Sequence, residues 1–426
     1  MKKAIICING VETLDFFSKQ IKEELEKRKI KVFGLDLKNL KNSLKKMQKF
    51  IEPRQTTLIT FNFEGLEREE YIYNEKNKRY VWQELKVICI NIVVDHPYYY
   101  YDRLNDLIED FSADNYFDNY LHVSIDKKHK CYMKQYYKII KNNEFLPLAG
   151  TKIFNEEDHG SEYQNTKVKC DENKNIKIKD RKIDIVFAGN YTPEYEFEKN
   201  INWINEEYAE FYRDIIETLK EKTDKTFEEI AHKKCVKTLG NIKDEDFINV
   251  MNKMIFIDLY IRNYYRGKAV KEIVMSDHKI VVIGKGWEKL KKNIPCDKWK
   301  NIKHIKQTNT EECLKLIADA KISLNVMPWF KDGAHDRVFS SILNGAVCLT
   351  DSSKYLEKEL KNEEGVIYFK LNEEKNIGEI IDKYDDSRLQ KIVDDGNKKV
   401  IEKHRWNKRT EKIIEMEEKL RENSKS

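Results

Sequence analysis

Short apolar runs alternate with amphipathic stretches along most of the chain. Residues 4–8 form a β-type run that stops at Asn9-Gly10, and Leu14, Phe17, Ile21 and Leu25 then recur at helical spacing over 13–28. Runs at 30–35, 57–61, 87–94 and 121–125 read as further strands. The 87–94 run is apolar except for Asn91, as expected of a strand covered on both faces. Strands separated by helical stretches predict βαβ units and a parallel sheet. The rhythm fails over 156–182, which is charged and aperiodic and reads as a linker or surface excursion. A new strand at Ile183–Ala188 ends in Gly189-Asn190, and a helical block rich in Glu, Lys and aromatics covers about 195–277. Strand signals return at 279–283, 302–305, 322–326, 346–350 and 366–369. The tail over 389–421 is helical, anchored by Trp406, Ile413, Ile414 and Leu420. The pattern predicts an α/β protein of two doubly wound parallel-sheet domains, 1–155 and 183–390, with a helical insertion in the second. Residues 391–426 form a closing helix and tail. The halves share architecture but no sequence repeat.

Composition narrows this reading. The chain has 426 residues, 40% apolar and 11% aromatic with 23 Tyr, which excludes a disordered chain. Lys+Arg number 79 against 74 Asp+Glu, and a net charge of only +5 argues against a nucleic-acid partner. The longest apolar run is too short to span a bilayer, which takes about 20 residues. The opening MKKAIICING reads as a first strand rather than a signal segment. None of the eight Cys forms C-x-x-C, which fits free thiols in a reducing cytoplasm. The nine His form no H-x-x-x-H, so no metal and no resident cofactor is expected.

In open α/β sheets ligands bind beyond the carboxyl ends of the strands, and unusual residues lie there. The segment 325–351 runs strand, loop, helix, Gly345 turn, strand, polar loop. Its helix begins near His335-Asp336-Arg337, where free N–H groups and the positive dipole end favour a diphosphate and Arg337 adds a charge-assisted bond. The same residues also suit a capped helix with Asp336 as cap and Arg337 in a surface pair. Gly284-Lys285-Gly286 follows a strand and either admits a ligand closely or simply turns the chain. Gly189-Asn190 offers the same choice. Arg262 and Arg266 lie four apart, on one helix face, and either reach phosphate or are solvated. In the first half, Asp95-His96-Pro97 follows the most apolar strand. His96 or Asp95 is a candidate general base, the alternative being a turn cap. Tyr98–Tyr101 either stack on a sugar or pack the next helix.

Taken in order, DHPYYYYDRL, HVSIDKKHKCYMKQYY, FLPLAG, IDIVFAGNY, VVIGKGWEKL and SLNVMPWFKDGAHDRVFSSILNGAVCLTDSSKYL resemble bacterial glycosyltransferases of the spore-maturation CgeB type. These are similar to group 1 glycosyltransferases of the GT-B fold. The resemblance covers most of 1–415, and the tail HRWNKRTEKII resembles the helix that crosses back to the first domain. It implies an acceptor site in the first domain and a nucleotide-sugar site in the second. Gly189 and Asn190 would face the donor, Gly284, Lys285 and Gly286 the nucleotide, and His335, Asp336 and Arg337 the diphosphate. Thr350 and Asp351 would lie on the sugar or ribose side. One departure stands out: Ser340, five residues before Gly345, replaces the glutamate that grips the ribose in many group 1 members.

The expectation is a cytoplasmic, metal-independent glycosyltransferase that moves a sugar from a nucleotide diphosphate sugar, UDP-linked, to an acceptor hydroxyl. Flagellin, a spore or S-layer protein, and a cell-wall glycan all fit as acceptor. A non-catalytic scaffold in glycan assembly and a nucleotide-sugar epimerase are the alternatives.

Overall fold

The computed structural model describes residues 1–153, 176–373 and 377–423. Six parallel strands make the first sheet: β1 (Lys3–Ile8), β2 (Lys31–Asp36), β3 (Thr56–Phe61), β6 (Ile88–Val93), β7 (Tyr120–Ser124) and β8 (Asn143–Phe145). They lie in the order β2-β1-β3-β6-β7-β8. A small hairpin, β4 (Tyr73–Asn74) with β5 (Arg79–Tyr80), stands outside it. Strands β3, β6 and β7 are buried at every position, because helices cover both faces. The edge strand β8 is only half-buried and three residues long, too short for an alternation signal.

The second sheet holds β9 (Ile183–Ala188), β10 (Ile280–Ile283), β11 (Ile302–Ile305), β12 (Ala320–Asn325), β13 (Val347–Thr350) and β14 (Val366–Tyr368). It is also wholly parallel, ordered β11-β10-β9-β12-β13-β14. The two predicted doubly wound domains are therefore present, with different strand orders.

The expected linker falls outside the described residues as far as 175. Residues 176–182 pack into the second domain, where Ile178 is buried and Arg181 donates to the carbonyls of Ala320 and Asn344 at 2.8 and 3.1 Å. The helical block resolves into Glu206–Glu221, Phe227–Leu239, Asp244–Lys253 and Ile255–Met275 after a short turn. It does not belong to one domain alone. Asn252 donates to the Tyr98 carbonyl at 3.0 Å, and Tyr136 packs on Phe247 at 5.4 Å, so the insertion also braces the first domain.

The tail forms two helices, Asp386–Lys403 and Trp406–Asn423, broken at His404-Arg405. The second crosses back to the first domain. Trp406 Nε1 donates to Thr151 Oγ1 at 2.8 Å and its ring meets Phe17 at 5.4 Å. Glu417, fully buried, accepts from Thr57 at 2.9 Å and pairs with the chain's amino terminus at 3.1 Å. Among the described residues, no helix is long and apolar enough to cross a membrane. The seven described cysteines are all free.

Candidate functional site

The carboxyl ends of the two sheets face each other. Glu12, just after β1, accepts from the Thr310 amide at 2.8 Å. Asp126, just after β7, accepts from the Lys331 and Asp332 amides at 3.0 and 2.9 Å. Asp95, just after β6, lies 3.8 Å from Arg262. The site is built on this cleft.

On the second domain, the loops that follow the neighbouring strands β9 and β10 meet at the cleft. Gly189 donates its amide to the Ile283 carbonyl, Tyr191 to that of Lys285, and the Lys285 amide donates to Asn190 Oδ1 at 2.9 Å. Two glycines are required by this close approach. A Cβ on Gly284 would sit 2.5 Å from the Gly189 carbonyl oxygen, and one on Gly286, at φ +85°, would sit 2.0 Å from that of Tyr191. Packing of loop on loop accounts for the G-K-G sequence. The Lys285 side chain and Asn190 are exposed at the cleft rim.

Two arginines converge on the end of β9. Arg266 donates to the Asn190 carbonyl at 3.0 Å, and its Cζ lies 3.9 Å from where a Cβ on Gly189 would stand. Arg337 lies over the Phe187 ring at 5.7 Å and reaches Asn325 Oδ1 at 3.5 Å. Both are partly accessible, and the ion pairs among the described residues include neither. Burial, then the charges of Arg337 and Arg262, push the Arg266 pKa down to about 9. Burial likewise lowers that of Arg337, against the pull of Asp336. A cation destabilised by its neighbours, as Arg266 is by Arg337 and Arg262, is relieved by an anion.

Arg337 stands in the first turn of the helix Asp336–Leu343. The cap is His335, not Asp336: its Nδ1 accepts the Arg337 amide at 3.2 Å, with Asp336 Oδ1 2.8 Å away. Burial and the adjacent Arg337 lower the imidazole pKa, against the pull of Asp336. The remaining first-turn N–H groups give the positive end of the dipole beside the two arginines.

Thr350 and Asp351 are buried, and their polar atoms serve the domain itself. Thr350 Oγ1 accepts from Asn325 at 2.9 Å, and Asp351 Oδ1 accepts from the Met327 amide at 2.7 Å. Burial raises the Asp351 pKa to about 7. Asp332, eight residues before Ser340, lies 3.5 Å from Lys127 of the first domain.

On the first domain, adjacent Asp95 and His96 part company, as successive residues at a strand end do. Asp95 remains partly exposed, takes the Tyr100 hydroxyl at 3.1 Å and faces Arg262. His96 is buried, stacked on Tyr98 at 3.8 Å, and its Nδ1 accepts the Tyr98 amide at 3.3 Å. Nε2 lies 3.5 Å from Glu228 of the insertion, whose pKa burial raises to about 7. His96 thus has the position of a turn cap behind the cleft wall.

Several site residues escape a reading of the sequence alone. Trp329 carries Arg262 on its ring at 4.1 Å and Arg266 at 5.4 Å. Asp258 pairs with Arg262 at 2.7 Å and accepts from Tyr99 at 2.6 Å, joining insertion to first domain. Trp329 had a weak signal, four residues beyond β12; Asp258 had only its i,i+4 spacing to Arg262. Among the described residues, no group of three or more His, Cys, Asp or Glu is arranged to hold a metal.

Residues 266–415 match the model of a family described as glycosyl transferase-like. No curated protein matches the chain in sequence. Solved structures are similar along almost the whole length. The sucrose-phosphate synthase from Thermosynechococcus elongatus is 10% identical, with a TM-score of 0.51, covering 98% of each chain. Anabaena HepE in complex with UDP is 8% identical, with a TM-score of 0.50, over 97% of this chain and 99% of that one. A glycosyltransferase from Rickettsia africae is 8% identical, with a TM-score of 0.50, over 98% of both. The paired parallel-sheet domains, the cleft between their strand ends and the returning C-terminal helix are those of the GT-B fold.

Proposed function

We propose that the protein is a glycosyltransferase that takes a sugar from a nucleoside diphosphate sugar, UDP-linked, and passes it to an acceptor hydroxyl. The observation that carries this reading is the cationic cradle of Arg266 and Arg337 at the start of the helix Asp336–Leu343. It sits where β9 and β12 diverge, the position for a nucleotide in a sheet of this order. A diphosphate leaving group is stabilised there by guanidinium groups and helix N–H groups, so that no divalent metal is required. The glycosyl transferase-like match over 266–415 begins at Arg266 itself, and UDP is the ligand of the HepE structure that shares the fold.

The acceptor hydroxyl enters from the first domain, where Asp95 is an accessible carboxylate facing Arg262 and takes its proton. His96, one residue on, supports that turn from behind. The acceptor is a protein or surface glycan handled in the cytoplasm, in keeping with the CgeB-type resemblance. Thermal-shift and turnover screens with UDP-, GDP- and ADP-sugars test the reading. Stabilisation by a UDP-sugar with release of UDP supports it. Sugar interconversion indicates an epimerase, and binding without turnover a scaffold, for which Ser340 in place of glutamate is the favouring observation.

A further inference from the structure

One carboxylate joins the two domains at the loop that leads into the cradle. Asp126 is fully buried and follows β7 of the first domain. Its Oδ1 accepts the Lys128 amide at 2.6 Å and so caps the helix Lys127–Tyr136. Its Oδ2 reaches out of its own domain and accepts the amides of Lys331 and Asp332. The contact is reinforced by backbone. Lys127 donates its amide to the Asp332 carbonyl at 3.1 Å, and Asp126 forms a bridge with Gly333. Gly333 is close enough that a Cβ there would lie 2.5 Å from the Ile125 carbonyl oxygen. A helix cap needs only one oxygen, and Ser serves as well as Asp. The second oxygen is therefore surplus to the helix.

The loop so held runs from Met327 to His335. It carries Trp329, on which both Arg262 and Arg266 lie, and it ends at the cap of the helix bearing Arg337. It is tied into the second domain as well: Lys331 Nζ donates to the carbonyls of Thr223 and Pro328, and Ser353 Oγ to that of Gly333. Its shape is thus set jointly from both sides of the cleft. We propose that Asp126 is a positioning residue through which the first domain holds the 327–335 loop, and with it the arginine cradle, in the arrangement that takes a nucleoside diphosphate. The inference rests on the donor-site reading above. It makes nucleotide affinity in the second domain depend on a residue of the first.

Three variants of the full chain decide it, with UDP as the probe. Asp126→Ser keeps a cap and loses the reach; Asp126→Ala loses both; Gly333→Ala forces the loop off Ile125 and leaves Asp126 intact. Amide exchange and UDP titration are measured on each, with thermal melts for stability. The expected result is faster exchange at Lys331 and Asp332, and UDP binding weakened by about tenfold or more, in all three. Asp126→Ser should melt closer to the wild type than Asp126→Ala. If Asp126→Ser restores both stability and UDP affinity, Asp126 is only a helix cap and the proposal fails. Unchanged exchange at the two amides in Asp126→Ser also overturns it. A wild-type protein that binds none of UDP, GDP or ADP overturns the donor-site reading and this inference together. Wild-type binding that survives in the variants overturns this inference alone.

Discussion

The strand ends of the second domain present cations to the cleft, and those of the first present carboxylates and phenols. In the second domain, Arg266 and Arg337 crowd the end of β9, and the charge of Arg337 adds to burial in lowering the Arg266 pKa. In the first, Asp95 stands beside Tyr100, and Glu67 pairs with Arg103 at 2.7 Å. Burial raises the Glu67 pKa to about 7. Strand order differs in step. The second sheet reverses direction between β9 and β12, and the cradle is assembled from those two strand ends. The first reverses between β1 and β3, where Glu64 accepts the Val11 amide at 3.0 Å and fills the corresponding crevice with protein. The same layered architecture thus gives one crevice suited to an anion and one edge suited to hydroxyl groups. The chemistry follows the residues at the switch point rather than the fold.

The contrast is broken most severely by removing the carboxylate on the hydroxyl side. Asp95→Asn should lower kcat about 10²–10⁴-fold, the range for losing a general base, while UDP affinity persists. His96→Ala should instead lower the melting temperature, since its ring is a buried cap. A near-normal kcat in Asp95→Asn, measured at saturating donor, removes Asp95 from the mechanism.

The next effect tests the cationic side. Arg337→Ala should weaken UDP binding by about 1.5–3 kcal/mol, the scale for a hydrogen bond to a charged group. Glu67→Gln, on the opposite edge, should leave it unchanged. Calorimetric titration of both variants separates the two edges, and equal losses would erase the distinction.

A stability measurement sharpens the comparison in the first sheet. His122 is buried there, and burial lowers its pKa to about 3. The unfolded chain takes up this proton near pH 6.5, well before the folded chain does, so its contribution to stability is lost as pH falls below that point. The slope is about 1.4 kcal/mol per pH unit. His404, also lowered to about 3, acts in the same sense, and Glu228 and Asp351, raised to about 7, act in the opposite one. The difference between wild type and His122→Gln isolates the histidine. It should change by about 2 kcal/mol between pH 6.5 and 5 in urea melts. A pH-independent difference would contradict a neutral buried ring.

The smallest expected effect is none. Excess chelator should leave turnover unchanged, because the cradle answers diphosphate charge with guanidinium and N–H groups. Loss of turnover with rescue by magnesium or manganese would reject this.

Periodicity made most strands and the two-domain plan legible before any coordinates. A parallel strand covered on both faces must be apolar throughout, and residues 88–93 show it. The edge strand β8 and the small hairpin were not legible, being too short to show a period. The helical block was readable as helix, but not its bracing of the first domain. The apolar faces that do this, such as Phe247 against Tyr136, look like any helix core. Within the site, local chemistry marked Arg337, Arg266 and the glycine turns, since strand-end loops before helices can be recognised in a single segment. It did not tell Asp95 from His96, because adjacent residues diverge by the path of the backbone. Nor did it reveal Asp258, Trp329 over its arginines, or the surplus oxygen of Asp126. Asp258 and Asp126 act between domains, as Tyr99 with Asp258 and Asp126 with Lys331 show, and Trp329 meets its arginines from a distant segment of the second domain. Local sequence determined which elements form, because helical hydrogen bonds close within the element and the apolar pattern of a strand reports how its own faces are covered. Only the tertiary structure decided which charges are left without partners, because that depends on every neighbour the fold brings up.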